Sequence, residues 1–403
     1  MGDHGSGALA GVRVLELGNF IAAPSAGRLL ADFGADVVKV ERPTGGDELR
    51  RWRLHEGETS LLFRVLNRNK RSVTLDLGHP EGQAVALELI RRSDVVLENF
   101  RPGTLERWGL AVERMREVNP DVIVVRVSGY GQSGPYLDRP GFGGVAEAVG
   151  GLRNFTGYPD RPPTRVGISL ADSVAGLYAV IGALMGLHRR TATGQGEVVD
   201  VALYEAVYSL MESLTPDHDA FGVEPERAGS ALPGIVPSNT YLCGDGRYVV
   251  ISGNGDAIFR RLMRVIGRSD LATEPRLADN AGRVEHAASI DAAIAAWTRL
   301  MPHEEVLLRL GDGQIPASPI YTAADIAKDP HYAARGMLER HRVRIAAGDE
   351  REVLFPGVVP KLAEEPGRTR WLGPEPGEHT DAVLAELGID DARRAALREL
   401  QVI

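Results

Sequence analysis

The stretch "VRVLELGNFIAAPSAGRLLADFGADVVKVERP", residues 12–43, decides the fold, because it reads as strand, helix and second strand in close succession. "VRVLEL" (12–17) is a short apolar strand closed by a glycine. In "PSAGRLLADFG", Pro24 suits a first helical position and Gly34 the residue past the end. Ala26, Leu29, Leu30 and Phe33 share one apolar face of that helix. "ADVVKVERP" is the second strand. Working outward, "KRSVTLDL" (70–77) makes a third, "PEGQAVALELIRRS" (80–93) a helix, "DVVLENF" (94–100) a fourth strand and "VNPDVIVVRVSGYG" (118–131) a fifth. Such alternation predicts an α/β protein with a doubly wound, mostly parallel sheet, whose ligands bind outside the carboxyl ends of the strands. The loops after Leu17, Val40, Leu97 and Val127 are therefore the ones to search.

"GQGEVVDVALYEAVYSLMESL" adds one more strand and a long helix, and then the texture changes. "GVEPERAGSALPGIVPSNTY" reads as a linker, and Asp245-Gly246 between two apolar runs is a strong hairpin signal. The expected organisation is a large domain over 1–215, a linker over 216–231, and a small α+β domain over 232–317. A second linker follows over 318–340, and 341–403 returns to the large domain.

With 403 residues and a formal net charge of -9, the chain is unsuited to nucleic acid or an anionic membrane as main partner. An anion site must be a local gathering of Arg. The single cysteine, Cys243, rules out an internal disulfide, and the ten histidines show no H-x-x-x-H or other metal spacing. No basic n-region precedes an apolar stretch, and no apolar run looks long enough to span a bilayer, so the expected location is cytoplasmic.

Two features carry chemistry. In "TRVGISLADSVAGLYAVIGALMGLHRR" (164–190), Leu177, Ile181, Leu184 and Leu187 recur at helical spacing and predict a buried helix beginning at about Asp172. That aspartate is either an N-cap or a carboxylate held at a helix start because it reacts there. At the end of the second strand, Glu41 occupies the place of a ribose-binding acid, but the first loop, "GNFIAAPSAG", lacks the G-x-G-x-x-G that would cradle a pyrophosphate. An NAD-dependent enzyme is disfavoured on that ground. Arg42, next to the acid, suits a phosphate on an adenosine ribose, and Arg50, Arg51, Arg53, Arg101 and Arg107 gather near other strand ends. No G-x-S-x-G elbow is present.

Taken together, the first stretch, "NRNKRSVTLDLGHPEG", "DVVLENFRPGTLERWGL", "NPDVIVVRVSGYGQSGP" and "GISLADSVAGLYAVIGAL" resemble the class III CoA-transferase (CaiB/BaiF) family. "GQGEVVDVALYEA", "IPASPIYTAADIAKDPHYAARGM" and "GEHTDAVL" extend the resemblance over residues 8–388. It implies a Rossmann-like large domain, a smaller domain, and a homodimer of two interlocked chains. It also implies that Asp172 is the nucleophile of covalent catalysis, through an aspartyl anhydride and an aspartyl-CoA thioester. Acyl-CoA and a free carboxylic acid are then substrates, with no permanently bound cofactor and no metal. By alignment, CoA is expected against Ile21, Ala22, Arg42, Leu75, Asn99, Phe100 and Arg107, with Arg139 near the acyl end. Ile21, Phe142, Gly143 and Gly78 replace a glutamine, a tyrosine, a glutamate and a lysine of the formyl-CoA branch. The pocket, with Ile21 and Phe142 among its walls, thus suits a carbon chain better than formate or oxalate.

The expected donor is succinyl-CoA and the expected acceptor a dicarboxylate, with Arg139 and Arg165 as candidate cations for its far carboxylate. Two rivals share the fold. One is an α-methylacyl-CoA racemase, whose catalytic His is absent because Phe142 stands in its place. The other is a non-catalytic acyl-CoA-binding protein, against which Asp172 argues.

Overall fold

The computed structural model describes residues 6–55, 57, 59–346 and 349–403. Six runs rich in β-branched residues form one wholly parallel sheet: β1 (Arg13–Glu16), β2 (Asp36–Glu41), β3 (Lys70–Thr74), β4 (Val95–Glu98), β5 (Ile123–Ser128) and β6 (Val198–Ala202). Their order is β3-β2-β1-β4-β5-β6, the order of doubly wound nucleotide-binding sheets. It reverses between β1 and β4, where a crevice is expected outside the carboxyl ends. Helices cover the sheet, and Leu15, Val38, Val73, Val96 and Val124 meet Leu89, Ile90 and Leu384 in a core closed to solvent.

Three expectations change on contact with the structure. The first helix spans Ala22–Asp32, so Pro24 is its third residue. Its missing N–H costs nothing there, because the first four helical N–H groups have no intrahelical partner. The apolar run after β6 is broken: the helix Leu203–Tyr208 stops after six residues.

The third change is the largest. The helix Leu170–Thr193 buries Ala171, Ala175, Gly176, Ala179, Ala183 and Gly186, while Leu177, Ile181 and Leu184 are 51, 44 and 40% exposed. The reason is close approach. A Cβ at Gly176 would lie 3.0 Å from Ala22 O and from Ser25 Cβ, so only small side chains let this helix rest on helix Ala22–Asp32. By length and composition it could cross a membrane, contrary to the sequence reading. Packed on helix Ala22–Asp32, β5 and β6, it is a partly buried core helix.

The chain divides into two compact units. The larger takes residues 1–152, 166–214 and 330–403, including an antiparallel hairpin of β10 (Leu338–Ala346) and β11 (Asp349–Pro356). The smaller takes 153–165 and 215–329. Its sheet, β7 (Ser238–Leu242), β8 (Tyr248–Ser252) and β9 (Ala317–Pro319), is antiparallel, and the β7–β8 turn carries Gly246 at φ 82°. Val249, Ile251, Phe259, Leu262 and Ile294 form its own core.

Candidate active site

At the carboxyl ends of the parallel strands a cleft opens between Leu17, Val40, Arg42, Leu75, Phe100 and Trp108, with Asp76 and Gly78 at its edge. Four strand ends thus supply one pocket: β1, β2, β3 and β4. Three residues expected at CoA, Arg42, Leu75 and Phe100, meet here. Trp108 was not anticipated from the sequence. Its ring stands edge-on to Phe100 at 5.1 Å, giving the cleft an aromatic wall. The signal was available in "ENFRPGTLERWG", where a Trp follows Arg107 directly. Arg42 is 56% exposed and rests on Glu48 at 2.5 Å, a contact that a phosphate could replace.

Glu41 departs from the ribose-binding expectation. It is 1% exposed, its carboxylate gripped by Arg50 through Nε at 2.7 Å and Nη2 at 2.6 Å, and it accepts from Ser72 Oγ at 2.6 Å. Burial alone would raise its pKa, but the Arg50 hydrogen bonds and charge hold it below the usual carboxylate range. Both lobes of the acid are occupied by protein, so it offers nothing to a ribose. Arg50 is correspondingly a core residue and no part of a phosphate cluster.

The loops flanking the order reversal are tied to each other. Asn99 accepts from Asn19 N at 2.8 Å and donates to Asn19 O at 2.7 Å, joining the loops after β1 and β4. The Ile21 side chain is buried with Leu49 and Phe63. Ala22 is buried, and its carbonyl faces Gly176. Arg107 is exposed and donates to Thr104 Oγ1 at 3.0 Å, and Arg139 stacks its guanidinium 3.6 Å over the Tyr136 ring on an exposed loop. Arg165 belongs to the smaller unit.

Asp172 is the third residue of helix Leu170–Thr193, with Ser169 at the cap position. It is therefore not the N-cap, and the helix starts two residues earlier than its sequence pattern suggests. The carboxylate lies in the first turn, where the free N–H groups of the helix favour negative charge. It is half-buried, and it lies directly against Gly143: a Cβ built there would come within 2.1 Å of Asp172 Oδ2. Glycine at 143 is thus what lets the carboxylate occupy this position.

Beside it, Phe142 is 60% exposed and packs edge-on against Phe20 at 5.8 Å. Phe20, at φ 62°, meets Trp52 at 5.2 Å. Phe20 and Trp52 escaped the sequence reading, since nothing in their spacing ties three separate loops together.

Known proteins resemble this chain over nearly its whole length. The family described as "CoA-transferase family III" matches residues 9–380. The chain is 47% identical to the succinyl-CoA–D-citramalate CoA-transferase of Chloroflexus aurantiacus, with 97% of each chain covered. It is 45% identical to the succinyl-CoA–L-malate CoA-transferase beta subunit of the same organism, over 98% of each. Among solved structures, a CAIB/BAIF family protein from Brucella suis superposes with a TM-score of 0.83 at 33% identity, covering 95% of this chain and 100% of that one.

Proposed function

The chain belongs to CoA-transferase family III and is a class III CoA-transferase, and from that premise we propose that it moves CoA from succinyl-CoA to a second dicarboxylic acid. The observation that carries the mechanism is the half-buried Asp172 carboxylate in a helix first turn, given room by Gly143. Its oxygen attacks the thioester carbonyl, the C–S bond breaks, and CoA leaves as thiolate beside a succinyl–aspartyl anhydride. The thiolate attacks the aspartyl carbonyl and frees succinate, leaving an aspartyl-CoA thioester. The acceptor carboxylate then attacks that thioester, forming a new anhydride and releasing the thiolate once more. Attack of the thiolate on the acceptor's carbonyl gives the new acyl-CoA and restores Asp172. One thioester is exchanged for another, so neither intermediate can be allowed to meet water.

The nucleotide is assigned to the cleft of Arg42, Leu75, Phe100 and Trp108, an apolar slot with an exposed cation at its mouth. Arg107 is retained as a second phosphate contact, and the main chain at Ile21 and Ala22 as the path of the pantetheine. Arg139, in the larger unit, is the cation proposed for the far carboxylate. For the acceptor, the citramalate and malate transferases point to a hydroxylated dicarboxylate. Mass spectrometry of products from succinyl-CoA and a panel of free acids tests this, with hydroxylamine trapping to locate the acylated residue. Transfer to four- and five-carbon dicarboxylates with modification at Asp172 is expected. Preference for oxalate, or for an apolar monocarboxylate over every dicarboxylate, would overturn the substrate assignment, and full activity of Asp172→Ala would overturn the mechanism.

We further propose an interlocked homodimer. The exposed Leu177, Ile181, Leu184 and Met185 form a long apolar face of the kind a soluble chain covers with a partner. Threaded chains cannot part without opening, so a folded monomer in sedimentation at low concentration would remove this reading.

A further inference from the structure

Beneath the loop after β1 lies a set of charges the reaction does not use. Lys39, Lys70, Glu16 and Asp47 each have 0% exposure. Lys39 donates to Glu16 Oε1 at 3.0 Å and to Gly18 O at 2.7 Å, and its Nζ lies 3.0 Å from Asp47 Oδ2. Asp47 Oδ1 accepts from Phe20 N at 3.1 Å and Leu49 N at 2.9 Å. Lys70 donates to Glu16 Oε2 at 2.7 Å, Asn67 Oδ1 at 2.8 Å and Pro24 O at 2.8 Å, the last in the first turn of helix Ala22–Asp32. With two lysines and two acids the set is neutral. Burying it is no source of net stability, since well-packed apolar side chains would do as well. Its contacts with the main chain are what apolar residues could not reproduce.

Those contacts fall on one loop. Gly18 O is held by Lys39, Phe20 N by Asp47, and Asn19 at both its N and O by Asn99. Three consecutive residues are thereby pinned from three directions, with Phe20 in the left-handed region at φ 62°. A non-glycine residue stays there only when its surroundings hold it. The pinned segment and the helix it leads into together touch both elements that place Asp172. The Phe20 ring packs on Phe142, which precedes Gly143 beneath the Asp172 carboxylate, and Ala22 O faces Gly176 one helical turn after Asp172.

We propose that Lys39 and Asp47 are positioning residues for acyl transfer. Their buried ion pair fixes Gly18–Phe20, so that this loop keeps the Phe142 side of the site closed over the acylated aspartate. The inference rests on the CoA-transferase reading and adds to it a reason for the buried charges. Small displacements of a wall cost much in such chemistry, on the order of a hundredfold for about 1 Å. They also admit water to an anhydride.

The test compares Asp47→Asn, Asp47→Ala and Lys39→Met in the full-length chain, each qualified by its dissociation constant for free CoA. The cleft that holds the nucleotide is lined by Asn19 of the clamped loop but by neither substituted residue, so the dissociation constant for CoA should rise by about threefold at most while kcat for transfer falls about ten- to hundredfold. The ratio of thioester hydrolysis to transfer should rise at the same time, a change that simple loss of folded enzyme cannot produce. Asp47→Asn, which keeps the acceptor for Phe20 N, should be the mildest. Variants that bind CoA normally and keep both kcat and the hydrolysis ratio within twofold of wild type would overturn the proposal.

Hydrogen exchange of the Asn19 and Phe20 amides in the wild type decides the matter should the variants fail to fold. Protection approaching that of β1 is expected, and free exchange would overturn the clamp. Wild-type transfer is the control that separates the two readings, since its absence counts against the CoA-transferase assignment and leaves the amides to decide the clamp.

Discussion

Glu41 and Arg42 are neighbours at the end of β2, and the structure uses them in opposite ways. Glu41 is 1% exposed and is locked by Arg50 and Ser72. Arg42, one residue on, lines the cleft with 56% of its side chain exposed, held by Glu48 and by a long hydrogen bond of 3.3 Å to Gly46 O. β2 ends at Glu41, so one step past the strand separates a structural charge from an available one. The same contrast runs through the site. Glu16, Lys39, Asp47 and Lys70 are sealed, whereas Asp172, Arg107 and Arg139 reach solvent to some degree. Charges sealed in protein partners shape the site. Chemistry and ligand binding are proposed for those left accessible.

The sharpest way to break this division is at the accessible carboxylate. Gly143→Ala places a methyl where Asp172 Oδ2 now lies, and should lower kcat by about a hundredfold or more through misplacement alone. Thermal stability should change far less. Unchanged kcat would mean the carboxylate works from another position.

On the sealed side, Glu41→Gln should cost about 3–5 kcal/mol in urea unfolding, the usual loss when one partner of a buried pair is removed. The surviving folded enzyme should keep its KM for succinyl-CoA. The pair also has a pH signature. Glu41 titrates below its ordinary value of 4.5, so the stability it contributes is complete above that pH and drains as pH falls below it. In Glu41→Gln the acid limb of the stability profile should be shallower. A large KM effect without loss of stability would return this acid to the ligand.

Arg42→Ala should do the reverse, raising KM for acyl-CoA with little change in kcat at saturation and none in stability. Solvent screening and the need to leave Glu48 limit the effect to about tenfold. The smallest expected change is the most informative about that competition. Glu48→Gln releases Arg42 and should lower KM by about two- to threefold, and a rise in KM would show that Glu48 orients the guanidinium toward the nucleotide.

Much of this was legible before the structure. The parallel strands announce themselves as β-branched runs such as Val37–Val38 and Ile123–Val125, and the first loop and Arg42 emerged as places to search from strand ends alone. Local pattern left Asp172 open between a cap and a reactive carboxylate, the family resemblance gave it a proposed role, and the helix begins two residues before it. The identity of the sheet-facing side of helix 170–193 was read backwards. Periodicity marks where large apolar residues recur, but cannot say whether the neighbouring surface needs bulk or closeness.

What the sequence by itself determined is the class of fold and the strand ends from which the cleft is built. Local patterning suffices for these, since strand and helix periods are properties of neighbouring residues. Only the tertiary structure decided which charges are spent. Arg50 found Glu41 nine residues away, while Lys70 found Glu16 across 54 residues of chain. Phe20, Trp52 and Phe142 met from three loops. Such partnerships depend on where desolvation leaves a charge no alternative and where two helices must come close. Both are set by the packed chain as a whole.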